Sequence, residues 1–190
     1  MKSWLPPRIE SQRVADSAAH QAIRFLARRR VPLGFLTAAV TAILASPTWE
    51  SWRAGLFVAA IGEAIRIWAA GHLEKGREVT RSGPYRWTGH PLYVGSSVLA
   101  LGVVIAAHSV VGFVLALIYM VSTLTAAVRT EEAFLRGRFA GAYDAYRRAE
   151  GEEMDRRFSM ARAWRNKEYR AVIGILIGFA FLALRVARPI

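Results

Sequence analysis

Long apolar runs alternate with basic segments along this chain. The most informative run is Pro91–Val128, 38 residues without a single Asp, Glu, Lys or Arg. One bilayer crossing takes about 20 apolar residues, so this length predicts two helices joined by a tight turn near His108. Three more apolar runs, 31–49, about 54–73 and about 171–187, bring the expected number of spans to five, with 91–107 and 109–128 as the third and fourth. Upstream, Val14, Ala18, Ala22, Phe25 and Leu26 recur at helical spacing among Arg13, Arg24 and Arg28–Arg30. That pattern predicts an amphipathic helix on a membrane surface over 11–30, a basic tail being the plainer alternative. The expected fold class is therefore all-α: a polytopic integral membrane helical bundle forming one domain over 1–190. An amphipathic segment at 1–30 precedes the bundle, and a helical C-terminal extension at 149–190 carries the fifth span.

Charge adds a direction to this pattern. The net charge of +12 and pI near 11.1 come from 26 Lys and Arg, of which 22 lie in 1–30, 71–90 and 129–170. With five spans these three segments share one side. The bias of Lys and Arg toward cytoplasmic loops makes that side cytoplasmic, where the basic residues meet anionic lipid headgroups. No nucleic-acid module is visible, and the charge is juxtamembrane, so nucleic acid is not an expected partner. Cysteine is absent, which excludes disulfide and thiol chemistry. The 30 residues ahead of the first apolar run exceed the charged start of a secretory leader, so no cleaved leader is expected.

A hairpin over 91–128 returns its two ends to one face, so the polar clusters flanking it should meet. The first, REVTRSGPYRWTGHPLYVG over 77–95, has a turn signal at Gly83-Pro84. Pro91 suits the first turn of a helix, which puts His90 near that helix's partly positive end. Tyr85, Trp87 and Tyr93 add aromatic surface, suited to an adenine ring or equally to an interfacial aromatic belt. The second cluster, RTEEAFLRGRFAGAYDAY over 129–146, starts with adjacent carboxylates. Glu132 can pair with Arg136 at i,i+4; Glu131 has no helical partner in register, which leaves it for a cationic ligand group or for solvent. Glu63 and Arg66, at i,i+3 inside an apolar run, read either as a functional pair or as an internal ion pair. His72 and His108 lack metal-ligand spacing, and no metal site is expected.

SGPYRWTGHPLYVG resembles the GPY…RHPxYxG signature of the isoprenylcysteine carboxyl methyltransferase and phospholipid methyltransferase superfamily. RTEEAFLRGRFAGAYDAY resembles its second signature, EExxLxxxFGxxYxxY, and the joint likeness covers about 75–148. The resemblance implies S-adenosyl-L-methionine as cofactor and methyl transfer at a membrane surface. Its cofactor positions fall on Tyr85, His90, Pro91, Leu92, Tyr93 and Glu131, with Glu78, Val79 and Thr80 just upstream. Arg129 matches an arginine that holds substrate, although its spacing differs from that of the eukaryotic enzymes. An amine acceptor would need to lose a proton, with Glu132 or water as candidates to take it. Two departures stand out: Gly89 replaces the arginine before HP, and Ala140 replaces the glycine of FG.

The acceptor implied is a lipid-like or prenylated amphiphile, methylated on a carboxylate by preference or on an amine. The Ala- and Arg-rich composition suggests a prokaryotic plasma membrane. The alternatives are an NADPH-dependent membrane reductase of sterol-reductase-like architecture and a non-catalytic membrane scaffold.

Overall fold

Among the described residues the computed structural model has six α-helices and one 3-10 turn; the five long helices follow the apolar pattern, but their boundaries and number of spans differ from it in three places. The structure describes the backbone of residues 7–148, 150 and 154–188, and side chains from residue 21 onward within those ranges, Ala140 excepted. Val14, Ala18 and Arg13 of the expected amphipathic face lie outside the described side chains.

The helices are α1 (Pro7–Ile43), α2 (Trp49–His72), α3 (Pro91–Ala107), α4 (Val110–Arg147), α5 (Met160–Arg165) and α6 (Tyr169–Ala187), with the 3-10 turn at Gly83–Arg86. The first difference is in α1. The segment expected on the membrane surface and the first expected span are one helix, which stops at Ile43 rather than continuing to residue 49. Pro47 disfavours helical backbone at Ser46, and the chain stays extended until Thr48 starts α2. A reciprocal capping box between Thr48 and Ser51 makes that start sharp. The second difference is the span count. Among the described residues three helices, not five, are long and apolar enough to cross a membrane: α2, α4 over Val110–Phe139, and α6. Helix α3 is apolar but shorter, 17 residues, or about 25 Å at 1.5 Å per residue. The third difference is α4, which passes without a break from the apolar run into the second motif and on to Arg147.

The turn inside the 38-residue apolar run is as tight as expected. His108 adopts left-handed backbone (φ 50°) to end α3, and Ser109 caps α4 by accepting from Gly112 N at 3.2 Å. The two outer ends of the hairpin therefore lie at one end of the bundle, together with the 3-10 turn.

The closest helix contact is α2 on α3. Gly55, Ala59 and Gly62 of α2 meet Gly95, Gly102 and Ala106 of α3 backbone to backbone. Small residues allow that approach, which replaces the hydrophobic drive that lipid tails cannot supply. A Cβ on Gly62 would run into the backbone of Leu99, and one on Gly102 into that of Ala59.

Helix α6 joins this pair through Trp52, whose indole N–H donates to Phe179 O at 2.9 Å while its ring meets Phe179 edge-on. Arg66 holds the start of α6, with Glu168 at 2.8 Å, Glu63 at 3.3 Å and the Ser96 hydroxyl as its partners. Glu63 and Arg66 thus belong to an internal ionic cluster that ties three helices. Helix α1 packs on α4, where Tyr119 donates to Arg30 O at 2.9 Å. Arg185 donates to Ala42 O and Ile43 O at 2.7 and 2.8 Å and so caps α1.

Leucine at Gly102 should separate α2 from α3. Overpacking of this kind costs about 1–3 kcal/mol, read as a lowered Tm in detergent. Gly174→Ala on α6, where a Cβ meets nothing within 4 Å, should leave Tm unchanged or raise it.

Candidate active site

The two motif clusters meet at the end of the bundle where α3 begins and α4 emerges from its apolar part. Pro91 is fully buried at the first position of α3, and His90 is the residue just ahead of it. With its φ preset and no N–H to satisfy, Pro91 fixes the direction in which His90 leaves the helix. The imidazole points at α4: Nδ1 lies 3.7 Å from Glu131 Oε2 and Nε2 lies 3.6 Å from Glu132 Oε1. Tyr93, one turn into α3, stacks on the His90 ring at 5.5 Å between centroids and 22° between planes. Its hydroxyl accepts from Arg30 of α1 at 3.4 Å.

Glu131, without a helical partner in register, faces His90 across the α3–α4 gap. Glu132 pairs with Arg147 at 3.7 Å rather than with Arg136, and Arg136 turns to Asp144 at 3.7 Å. The i,i+4 pairing is set aside because the polar end of α4 turns back on itself and brings Arg147 to Glu132; a straight helix would hold the two about 22 Å apart.

Electrostatics at His90 follow from this arrangement. The Glu131 carboxylate facing the ring comes first, burial opposes it, and the Glu132 carboxylate adds to it, so the imidazolium is held above the usual histidine value. Nε2 is buried and lacks a hydrogen-bond partner among the described residues, 3.6 Å from Glu132 being too long for one. Tyr85 is buried in the 3-10 turn; burial, then the Glu131 charge, raise its phenol, which stays protonated.

The Tyr85 backbone is pinned from α4: Tyr146 OH donates to Tyr85 O at 2.7 Å, and Arg81 donates to Ala142 O at 2.8 Å and Glu150 O at 2.6 Å. Trp87 is 76% exposed and packs on Trp68 at 5.5 Å, away from the other two aromatic residues.

A cavity of about 410 Å³ lies between α3 and α4, lined by Thr88, His90, Tyr93, Val94, Ser97, Leu124, Thr125, Val128 and Arg129. That size is within the usual range for small-molecule sites, and so is its make-up: mostly apolar walls with a few convergent polar groups. Arg129 is therefore on the cavity wall with His90 and Tyr93.

The upstream residues are placed otherwise. Glu78 is ion-paired to Arg156. Thr80 is buried and its hydroxyl accepts from Glu74 N at 3.5 Å, while Val79 and Leu92 are half-buried. Sequence reasoning had no signal for Arg30, Arg147 or Arg156, which reach Tyr93, Glu132 and Glu78 from 63, 15 and 78 residues away. Tyr146 was within reach, as the last tyrosine of the second motif.

Residues 48–142 match the phospholipid methyltransferase family. The chain belongs to this family. The match spans α2 through most of α4, includes the first motif cluster and the second as far as Ala142, and starts upstream of residue 75, where the motif likeness begins. No curated protein and no solved structure matches the chain. A family of membrane methyltransferases and a set of apolar helices of spanning length together make this an integral membrane protein of methyltransferase type.

In an NMR titration His90 should ionise above the ordinary imidazole value of about 6.5, and Glu131→Gln should bring it down. The folded state holds this proton more tightly than the unfolded chain. The contact therefore stabilises fully below the unfolded histidine pKa and is lost as pH rises through the folded one.

Proposed function

We propose that this protein is an S-adenosyl-L-methionine-dependent methyltransferase working at the cytoplasmic face of a prokaryotic plasma membrane on an amphiphilic acceptor. The observation that carries the reading is the approach of His90 to Glu131 beside the α3–α4 cavity. It joins a carboxylate, an imidazolium and a stacked tyrosine in one place from two clusters about 40 residues apart.

These residues fit the cofactor. Glu131, 44% exposed at its side chain, is suited to an ammonium group. His90, with a buried nitrogen free of hydrogen bonds, is suited to a carboxylate. Tyr93 offers a ring face, and the neutral Tyr85 phenol lies in the turn just before. Bound there, the cofactor would supply a methyl group on a sulfonium, which departs as a neutral thioether when the acceptor's lone pair forms the new bond.

The protein's own part is to position both molecules and to set charge in advance. Arg129 on the cavity wall can hold an anionic acceptor group. A carboxylate acceptor needs no base and is the favoured reading: its oxygen takes the methyl while Arg129 fixes its orientation. The family match favours a second reading, a lipid amine. That acceptor must lose a proton, and Glu132 is the group placed to take it, at some cost to its pairing with Arg147. The apolar walls contributed by Val94, Leu124 and Val128 suit the hydrocarbon part of either acceptor.

Calorimetric titration with S-adenosylhomocysteine tests the pocket. His90→Ala and Glu131→Gln should each weaken binding roughly 10- to 100-fold, the effect of losing a hydrogen bond to a charged group, with helicity intact; wild-type affinity in both refutes the assignment. Stabilisation by NADPH rather than by S-adenosylhomocysteine would point to the reductase. Arg129→Ala should keep the affinity and slow transfer of radiolabelled methyl into membrane extract. No labelled product from any extract, with the cofactor bound, would mean a scaffold.

A further inference from the structure

The last carbonyls of α2 face the site end of the bundle, and an α-helix cannot satisfy them itself. Their partners come from 156–166, some 80 to 100 residues later in the chain. Asn166 Nδ2 donates to Ala70 O at 2.9 Å and to Leu73 O at 3.0 Å. Arg162 Nη1 donates to Gly71 O at 2.5 Å, and the Ser159 backbone N–H joins it at 3.1 Å. Arg156 Nη1 donates to His72 O at 3.3 Å. All four carbonyls from Ala70 to Leu73 are taken, and two of the donors are cations, which the negative end of a helix dipole favours.

The same side chains hold the loop that follows α2. Arg162 Nε and Arg165 Nη2 both reach Glu74 Oε1, at 3.0 and 3.1 Å. Arg156 pairs with Glu78; their side chains are only 20% and 30% exposed, so solvent screens the pair less than it would a surface bridge. The Phe158 ring lies against Gly71, where any Cβ would strike it, and near the His72 ring at 6.3 Å. His72 Nδ1 in turn contacts Ser82 Oγ at 3.1 Å, and the His72 ring packs under Gly83. Gly83 has φ +56°, and a Cβ there would meet the ring. Only glycine meets both demands, and Gly83 opens the turn that places Tyr85.

We propose that 154–168 is a positioning segment for the methyl-donor site, with Arg156 as its principal positioning residue, clamping α2's end and the 73–82 loop so that Tyr85 is delivered to His90 and Glu131. The proposal rests on the methyltransferase reading above. The segment lies outside the family match at 48–142, so this support comes from the chain's own C-terminal part. Glu78 serves the site by holding Arg156, and its contribution to cofactor binding runs through the loop.

The test uses the full chain in detergent, with Arg156→Gln and the charge-keeping Arg156→Lys. Hydrogen exchange of 74–86, measured without ligand, should rise in Arg156→Gln while α3 and α4 keep wild-type protection. S-adenosylhomocysteine affinity should fall about tenfold, the order seen when a partner that orients a ligand is removed, and Arg156→Lys should recover part of both. Unchanged exchange in a folded Arg156→Gln overturns the proposal. Faster exchange with undiminished affinity also overturns it, by reducing the segment to a stability element. If Arg156→Gln does not fold, Arg156→Lys against wild type decides by the same two measurements. A wild-type protein that binds no S-adenosylhomocysteine sinks the methyl-donor reading itself, and the exchange result then decides the loop's positioning alone.

Discussion

The close approach of α2 and α3 sets everything else in place. Two helices that touch through glycine and alanine have little freedom to slide or roll, because the contact is between backbones rather than between adaptable side chains. Fixing α3 fixes Pro91 at its start, and through Pro91 the direction of His90. Fixing α2 fixes where the loop toward Tyr85 begins. Helix α6 adds to this pair through an indole and an ionic cluster, and α1 and α4 form a second pair beside it.

The charged groups inside the bundle follow the same economy of partners. Arg66 has two carboxylates and a hydroxyl; Arg185 has two carbonyls; α2's end has Asn166, Arg162 and Arg156. In a low-dielectric setting each of these groups would be costly alone. Among the described residues, buried side-chain atoms without a hydrogen bond occur on Thr41, Glu63, Arg66 and His90, and of these four only His90 lines the α3–α4 cavity. Unsatisfied polar atoms of this kind are rare in native interiors and call for a reason; a site for a small charged molecule supplies one.

Much of this was legible in the chain itself. The absence of charge over Pro91–Val128 implied a hairpin, and the hairpin implied that His90 and Glu131 share one end; both are local consequences of length and period. Pro91 at the first helical position was legible for the same reason. The single helix of α1 was not, because three arginines and Pro32 beside an apolar run look like a boundary, whereas the helix runs on through Pro32 to Ile43. The unbroken α4 escaped notice likewise, since a change from apolar to polar residues marks a change of surroundings and not of backbone. Glu78 and Glu132 were assigned from neighbouring residues, but their partners Arg156 and Arg147 are brought by tertiary packing, which no local pattern encodes.

The length of α4 has one more consequence. Its 38 residues are helical throughout, yet its polar end turns back, since Glu132 meets Arg147 at 3.7 Å where a straight helix would hold them about 22 Å apart; its apolar part packs on α1, while the opposite wall of the cavity belongs with α2 and α6 through α3. The hollow beside His90 thus lies along the seam between the α1–α4 pair and the α2–α3–α6 group. Its width is set by how those two helix groups lean on one another.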